Sequence, residues 1–358
     1  MSNRGDEGRL PSADVSWRMV TYVRKRRRRA TKLMNEWRGK TFAALDLGTN
    51  NCRLLVARRT PEGFKVIDSF SRIVRLGEGL SVSGALSEAA MIRTIVALRI
   101  CAEKLKRNHV QLSRSVATAA CRRATNRNEF VARVREETGL ELEIIAGAEE
   151  ARLALAGCVP LFDRTLPKVL GFDIGGGSTE LVWQEMCAGG VTTLGWTSLP
   201  VGVMTLTERH GSGPKSASEY AVMVEEIHCQ LAPFCVENDI DAALARGEVQ
   251  MVGTSGTVTT LAAMDLDLQR YDRARVDGAY IDFAVVRRLS DHLRATGPTD
   301  RATYPCIGED RCELMIAGCA ILEAICARLP VGRLRVADRG VREGILLELR
   351  ECITVGPR

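Results

Sequence analysis

Apolar and polar positions alternate along this chain in a pattern that occurs twice. Over residues 41–57 (TFAALDLGTNNCRLLVA) an apolar run ends at Asp46-Leu47-Gly48, gives way to a short polar stretch, and resumes at Leu54-Leu55. Over residues 168–183 (KVLGFDIGGGSTELVW) the same order returns. Asp173 is followed by Gly175, Gly176 and Gly177, then by Ser178, Thr179 and Glu180 before the next apolar run. Each stretch reads as strand, tight turn, strand. At an offset of 127, Asp46 falls on Asp173, Gly48 on Gly175 and Leu54-Leu55 on Leu181-Val182. A repeat at that spacing predicts two similar domains, each presenting a hairpin to a shared cleft.

The rest of the pattern supplies the layers around these hairpins. A third strand is predicted over 64–67. A helix capped by Ser87 runs to 106, with Met91, Ile95, Leu98 and Ala102 at helical spacing. A strand at 115–118, a helix at 126–138, an alternating strand at 140–145 and a helix opening at Gly147 complete the first half. The second half predicts strands at 191–199, 249–252 and 334–337, and helices at 218–236, 257–264, 283–295, 311–329 and from 341 onward. Residues 266–280 are charged and irregular and read as a loop. Strands alternating with helices predict an α/β layer structure. The expected domains are 40–152 and 153–340, with a tail at 1–39 and the last helix, 341–358, packing back on the first domain.

Composition narrows the setting. The chain has 358 residues, 46% of them hydrophobic, enough for two globular domains. No apolar run is long enough to span a membrane, and no apolar segment follows the basic N-terminal residues as a secretory signal would require. The twelve cysteines form no C-x-x-C pair and there are four histidines, which argues against a structural zinc site. Free thiols in a reducing cytoplasm are expected. Cys312, Cys319 and Cys326 recur every seven residues and read as small buried hydrophobes on one helix face. The net charge of +6 belongs to the tail: residues 1–40 hold twelve Lys/Arg against four Asp/Glu, and the remainder is slightly acidic. The block from Arg24 to Arg29 is either a solvated tail or an electrostatic arm for a polyanion such as RNA.

The hairpins carry the candidate chemistry. A turn without Cβ atoms lets an anion approach backbone N–H donors, and Ser178 and Thr179 add hydroxyls. Asp173 and Glu180 place two carboxylates beside the same turn, suited to a hard cation. Glu149 and Glu150 open a helix; they are either a helix-start charge pair or the source of a base.

Together the segments ALDLGTNNCRLLVA, ATAACRRATN, EIIAGAEEARLA, GFDIGGGSTELV, GTSGTVTTLAA and ADRGVREGIL resemble the exopolyphosphatase/guanosine-pentaphosphate phosphatase family, within the sugar kinase–actin superfold. GAEEAR ahead of DIGGGSTE is the specific signature; D-x-G-G-G alone marks the whole superfold. The resemblance covers about residues 40–350. It implies two actin-like (ribonuclease H-like) domains with an interdomain cleft, without the extra helical domains of long family members. It implies Glu150 as general base, Arg122 as a grip on the terminal phosphate, and Asp46 as an aid to placing metal or water. Phosphate loops are implied at Gly48, Thr49 and Asn50, at Gly175, Gly176, Gly177, Ser178 and Thr179, and at Gly253, Ser255 and Gly256. Asp173 and Glu180 are implied as ligands of Mg²⁺, or of Mn²⁺ in its place. Asn51 stands where the family commonly has Ser.

The function so implied is metal-dependent release of terminal phosphate from inorganic polyphosphate. Conversion of guanosine pentaphosphate to the tetraphosphate is the nearest alternative. An actin-like ATP-binding module, and a polyphosphate- or RNA-binding protein using the arginine tail, are the others. A monomer or homodimer is expected.

Overall fold

The computed structural model describes residues 39–61 and 63–355. The arginine block of the tail lies outside the described residues. The first half builds a five-stranded sheet from β1 (Thr41–Leu47), β2 (Asn51–Arg59), β3 (Phe64–Ile73), β4 (Leu112–Ala117) and β5 (Glu143–Ile144), in the order β3-β2-β1-β4-β5. Around it lie α1 (Leu80–Ser83), α2 (Glu88–Arg107), α3 (Ala119–Arg123), α4 (Arg127–Thr138) and α5 (Gly147–Cys158).

The second half builds a six-stranded sheet from β6 (Lys168–Ile174), β7 (Thr179–Cys187), β8 (Gly190–Leu199), β9 (Val249–Thr254), β10 (Tyr280–Asp282) and β11 (Arg333–Ala337), in the order β10-β11-β9-β6-β7-β8. Its helices are α6 (Val203–His210), α7 (Ala217–Glu237), α8 (Ile240–Ala245), α9 (Gly256–Asp265), α10 (Arg273–Val276), α11 (Phe283–Ala295), α12 (Pro298–Ala302), α13 (Met315–Arg328) and α14 (Val341–Val355).

The sequence repeat is a repeat of topology. Strand order β3-β2-β1-β4-β5 in the first sheet is matched by β8-β7-β6-β9-β11 in the second. In each, three antiparallel strands are followed by parallel partners. The helix after the last parallel strand, α5 in one half and α14 in the other, lies between the two sheets.

Period-two alternation explains how both faces of the central strands are buried. On β1, Ala43, Leu45 and Leu47 pack outward with α2, whereas Phe42 and Ala44 face the layer between the sheets. On β6, Leu170, Phe172 and Ile174 face the outer core and Val169 faces the inner layer. The inner layer is filled by Ala151, Leu153, Ala154 and Leu155 of α5 and by Val341, Ile345 and Leu346 of α14. Helix ends follow their caps: the Ser87 hydroxyl accepts from the Ala90 N–H, and Ser216 with Glu219 forms a capping box on α7.

Several elements differ from the pattern-based reading. The strand expected over 140–145 pairs only at Glu143–Ile144, because Leu140 and Leu142 turn into the outer core instead. The helix expected over 311–329 starts at Met315. The loop at 266–280 contains the turn α10 and ends in β10. The short helices α3, α6, α8 and α12 carry too few residues to show a helical period. The cysteines at 312, 319 and 326 are buried as expected.

The closest approach in the inner layer is helix to helix. A Cβ added at Gly344 would lie 2.0 Å from the Leu153 carbonyl oxygen, and one at Gly157 2.6 Å from that of Gly340. In an open helix, Gly→Ala would be stabilising by about 1 kcal/mol. Here the contact is with backbone that cannot step aside, so overpacking wins and Gly344→Ala is expected to lower stability by about 1–3 kcal/mol. Urea unfolding checks this against Gly189→Ala, where a Cβ meets nothing within 4 Å; equal midpoints for the two variants would contradict it.

Candidate active site

The two hairpin turns close with the same bond. The Gly48 N–H donates to the Asn51 carbonyl at 2.9 Å, and the Gly175 N–H donates to the Ser178 carbonyl at 2.9 Å. The tips also touch each other. A Cβ at Gly177 would stand 2.7 Å from Thr49 Oγ1, and one at Gly176 3.1 Å from Thr49 Cβ. The glycines of the second tip therefore make room for the first hairpin as well as for a ligand. Behind the second tip, the Val203 and Met204 N–H groups of α6 donate to the Gly175 and Gly176 carbonyls at 3.0 and 2.8 Å.

Alternation along the strands decides which side chains enter the cleft between the sheets. Asp46 continues the inward series Phe42, Ala44, and Asp173 continues Val169, Gly171. Glu180 leads into Val182 and Arg53 into Leu55, all on the same inner face. Asp46 stands directly across from Arg53, and Asp173 across from Glu180. The cleft so formed is lined by Asp46, Gly48, Thr49, Asn50, Arg53, Glu150, Asp173, Gly175, Gly176, Gly177, Ser178, Ser255 and Gly256, among others.

Glu150 sits in the first turn of α5, 8% exposed. Arg122 Nη1 donates to its Oε2 at 2.9 Å and to the Ile145 carbonyl at 3.0 Å. Glu180 is 1% exposed and accepts from Ser198 Oγ at 2.8 Å. Glu149, next to Glu150 in the chain, points outward, in ion pairs with Arg114 and Arg152.

Four carboxyls converge on this cleft and all are pushed upward. Burial, then the charge of Glu180, raises Glu150 to about 8 against the lowering effect of Arg122. Burial and the charge of Glu150 raise Asp173 to about 7. Burial and the charge of Asp173 raise Glu180 to about 7, opposed by Ser178 and Ser198. Asp46 is raised mainly by burial. At Glu150 a helix N-terminus favours the ionised form and burial among like charges disfavours it; here burial prevails.

Most of the expected site residues come together, and some do not. Thr179 lies on the outer face of β7 and gives its hydroxyl to the Val201 carbonyl at 2.7 Å, so it offers the cleft no donor. Gly253 lies on the outer face of β9, where a Cβ would meet Phe172 at 2.4 Å; Ser255 and Gly256 line the cleft without it. Arg122 reaches the site through Glu150 rather than by lining the cavity. Glu180 lies beneath the lining, beside Asp173.

Three arginines were not expected. Arg53, Arg311 and Arg342 line a second chamber of the cleft that shares Asp46, Asp173, Ser255 and Gly256 with the first. Burial and repulsion by Arg53 lower the proton affinity of both Arg311 and Arg342. The inward parity of β2 singles out Arg53, and Arg342 falls in the first turn after Asp338-Arg339-Gly340. Arg311 has no local signal.

Among the described residues no group of three or more His, Cys, Asp or Glu forms a metal nest. The donor set nonetheless fits Mg²⁺, which binds through one or two carboxylates and completes its shell with water and substrate phosphate. Asp173 and Glu180, both held upward by burial and then by neighbouring carboxylate charge, are the groups a cation would relieve. Asn50 Oδ1, buried with no hydrogen-bond partner, adds an oxygen at the same cleft.

The profile of the Ppx/GppA phosphatase family matches residues 55–351. The chain belongs to this family. It is similar to exopolyphosphatase 2 of Mycobacterium tuberculosis, with 31% identity over 322 residues, 86% of this chain and 98% of that protein. The crystal structure of the Aquifex aeolicus Ppx/GppA family member superposes with a TM-score of 0.73 at 27% identity, covering 89% of this chain and 99% of that one. An exopolyphosphatase structure from Cytophaga hutchinsonii shares the fold at TM-score 0.79 and 23% identity, over 89% of this chain and 100% of that one. The Ppx/GppA fold is thus the two actin-like domains described above, with the cleft between them.

Raised carboxyls make this Ppx/GppA cleft a source of pH-dependent stability. The folded state holds protons that the unfolded chain releases, so the stability these groups contribute is fully present below about pH 4 and is lost as pH rises to about 8. Thermal midpoints in EDTA are expected to drop across that window, and Glu180→Gln is expected to flatten the drop. A midpoint that climbs with pH, or a variant with the wild-type slope, would contradict this arrangement.

Proposed function

We propose that the protein is an exopolyphosphatase, hydrolysing the terminal phosphoanhydride of inorganic polyphosphate with Mg²⁺ as cofactor. One observation carries this reading most strongly. A buried glutamate, Glu150, faces a two-lobed phosphate cradle across a cleft that also holds Asp173 and Arg53. Family membership and the exopolyphosphatase relative support the substrate class.

Water attacks the terminal phosphorus; the new P–O bond forms as the anhydride P–O bond breaks, and the shortened chain leaves with the electron pair. Glu150 takes the proton from the attacking water. Its raised affinity for protons makes it a stronger base than an exposed glutamate, and Arg122 keeps a useful fraction ionised. The backbone N–H groups of the tips, with Thr49 and Ser178, position the terminal phosphate. Mg²⁺ held by Asp173 and Glu180 would neutralise charge that develops on the phosphate oxygens. Arg53, Arg311 and Arg342 offer guanidiniums to the next phosphates along the chain. Among the described residues no helix is long and apolar enough to cross a membrane, in keeping with a soluble anionic substrate.

Glu150→Gln preserves volume and one acceptor while removing the base. It is expected to lower kcat by about 10²- to 10⁴-fold with the thermal midpoint retained. Phosphate release from long-chain polyphosphate and from guanosine pentaphosphate, each with Mg²⁺ and with EDTA, reads the outcome. Turnover near wild type in the variant would remove Glu150 from the mechanism. Wild-type preference for the nucleotide would replace polyphosphate as the substrate.

A further inference from the structure

Arg301 is fully buried, and among the described residues it is the largest side chain with no exposed surface. Among the described residues no carboxylate forms an ion pair with it. Its guanidinium instead donates to three backbone carbonyls: Nε to Thr296 at 3.1 Å, Nη1 to Cys312 and Nη2 to Ser212. Burial holds its proton affinity below that of an ordinary arginine. A charge buried without a counter-ion is an expensive way to fill volume, since an apolar side chain of similar size would avoid the desolvation cost. What an apolar side chain cannot do is fix three separate chain segments at once.

Two of the three segments it fixes lead to the cleft. Cys312 follows Arg311, whose guanidinium lines both chambers and lies 3.4 Å from Thr260 Oγ1. Ser212 follows the C-terminal end of α6, and the N-terminal end of α6 supports the Gly175–Gly176 turn through two N–H donors. Thr296 caps the end of α11. Arg311 itself stands on a loop whose internal bonds are short-range turns, Arg311 N–H to Gly308 and Leu314 N–H to Arg311. Its distance from the second phosphate turn is therefore set from outside the loop.

We propose that Arg301 is a positioning residue for substrate binding: it locks the Arg311 segment onto α6 so that the Arg311 guanidinium and the Gly175–Ser178 turn grip the same phosphate chain. The assignment rests on the phosphatase reading above. Lysine at this position keeps the charge but loses the planar fork, and can satisfy the three carbonyls only imperfectly.

The test is a double-mutant cycle on Mg²⁺-dependent phosphate release from polyphosphate, with Arg301→Lys, Arg311→Ala and the pair. Losing a charged grip is expected to raise KM in Arg311→Ala by about 10- to 100-fold. Arg301→Lys is expected to raise KM by about 5-fold or more with kcat within about twofold, and to add nothing once Arg311 is alanine. A merely structural arginine predicts the opposite: multiplied effects in the pair, or a loss confined to kcat and folded fraction. Either result overturns the proposal. Arg301→Gln is the second variant should lysine not fold; failure of both to reach the wild-type fold assigns Arg301 to folding and overturns it too. The phosphatase reading fails separately, by absence of metal-dependent release from the wild type. If Arg311→Ala leaves KM unchanged while Glu150→Gln abolishes turnover, the phosphatase stands and the positioning role falls.

Discussion

Everything at this site depends on two helices crossing at backbone distance between two sheets. α5 and α14 occupy equivalent places in the repeated halves, and glycines at 157 and 344 let their backbones meet without intervening side chains. That contact fixes where the first turn of each helix emerges at the cleft. The first turn of α5 delivers Glu150, and the first turn of α14 delivers Arg342. A shift of either helix by the width of one methyl group would move its side chain relative to both hairpins. Since interiors pack at crystal-like density, such a shift has nowhere to go. The rigid crossing is thus what fixes where the charge pair at the start of α5 meets the cleft.

The second constraint is electrostatic. Asp46, Asp173, Glu180 and Glu150 share one poorly hydrated cleft, and each raises the proton affinity of another. Such a cluster is costly unless cations share the space. Arg122 answers only Glu150 directly. Arg53 faces Asp46 across the strands. The Asp173–Glu180 pair has hydroxyl partners from Ser198 and Ser178 but no direct cationic contact among the described residues. The four carboxyls thus differ in their partners: Glu150 has an arginine against it, and the Asp173–Glu180 pair has hydroxyls alone.

Much of this was legible in the sequence because it rests on short periods. The offset of 127 between the hairpins survives as identical turn bonds, Gly48 to Asn51 and Gly175 to Ser178, and as matching strand orders. Asn51 in place of Ser leaves that turn bond intact, since the bond uses its carbonyl. Alternation along a strand, pushed one step further, also separates the residues that reach the cleft from those that do not. Thr179 and Gly253 resemble phosphate-loop members by motif, yet each lies one residue out of phase with its inward neighbours, Glu180 and Thr254. Arg53 is in phase and was overlooked because it lies past the turn, where a motif-based reading stops. Arg311 and Arg301 could not be read locally. Arg301 is held by carbonyls five, eleven and 89 residues away, and no period of 2 or 3.6 residues encodes such a set.

The two halves are joined by two kinds of contact that differ in strength. At its base the two halves are joined by the apolar inner layer of α5 and α14, continuous from Phe42 to Val252. At its mouth they are joined by exposed polar contacts: Arg75 pairs with Glu313 at 3.2 Å, and Glu208 of α6 accepts from the Gly79 N–H at 3.1 Å and from Ser81. Exposed ion pairs of this kind contribute little and are screened by salt, whereas the buried layer scales with apolar area removed from water. Strain applied across the cleft therefore separates the mouth first and leaves the helix crossing intact. The contacts at the mouth are thus the salt-sensitive ones, and the helix crossing behind Glu150 is held by apolar packing that salt does not screen.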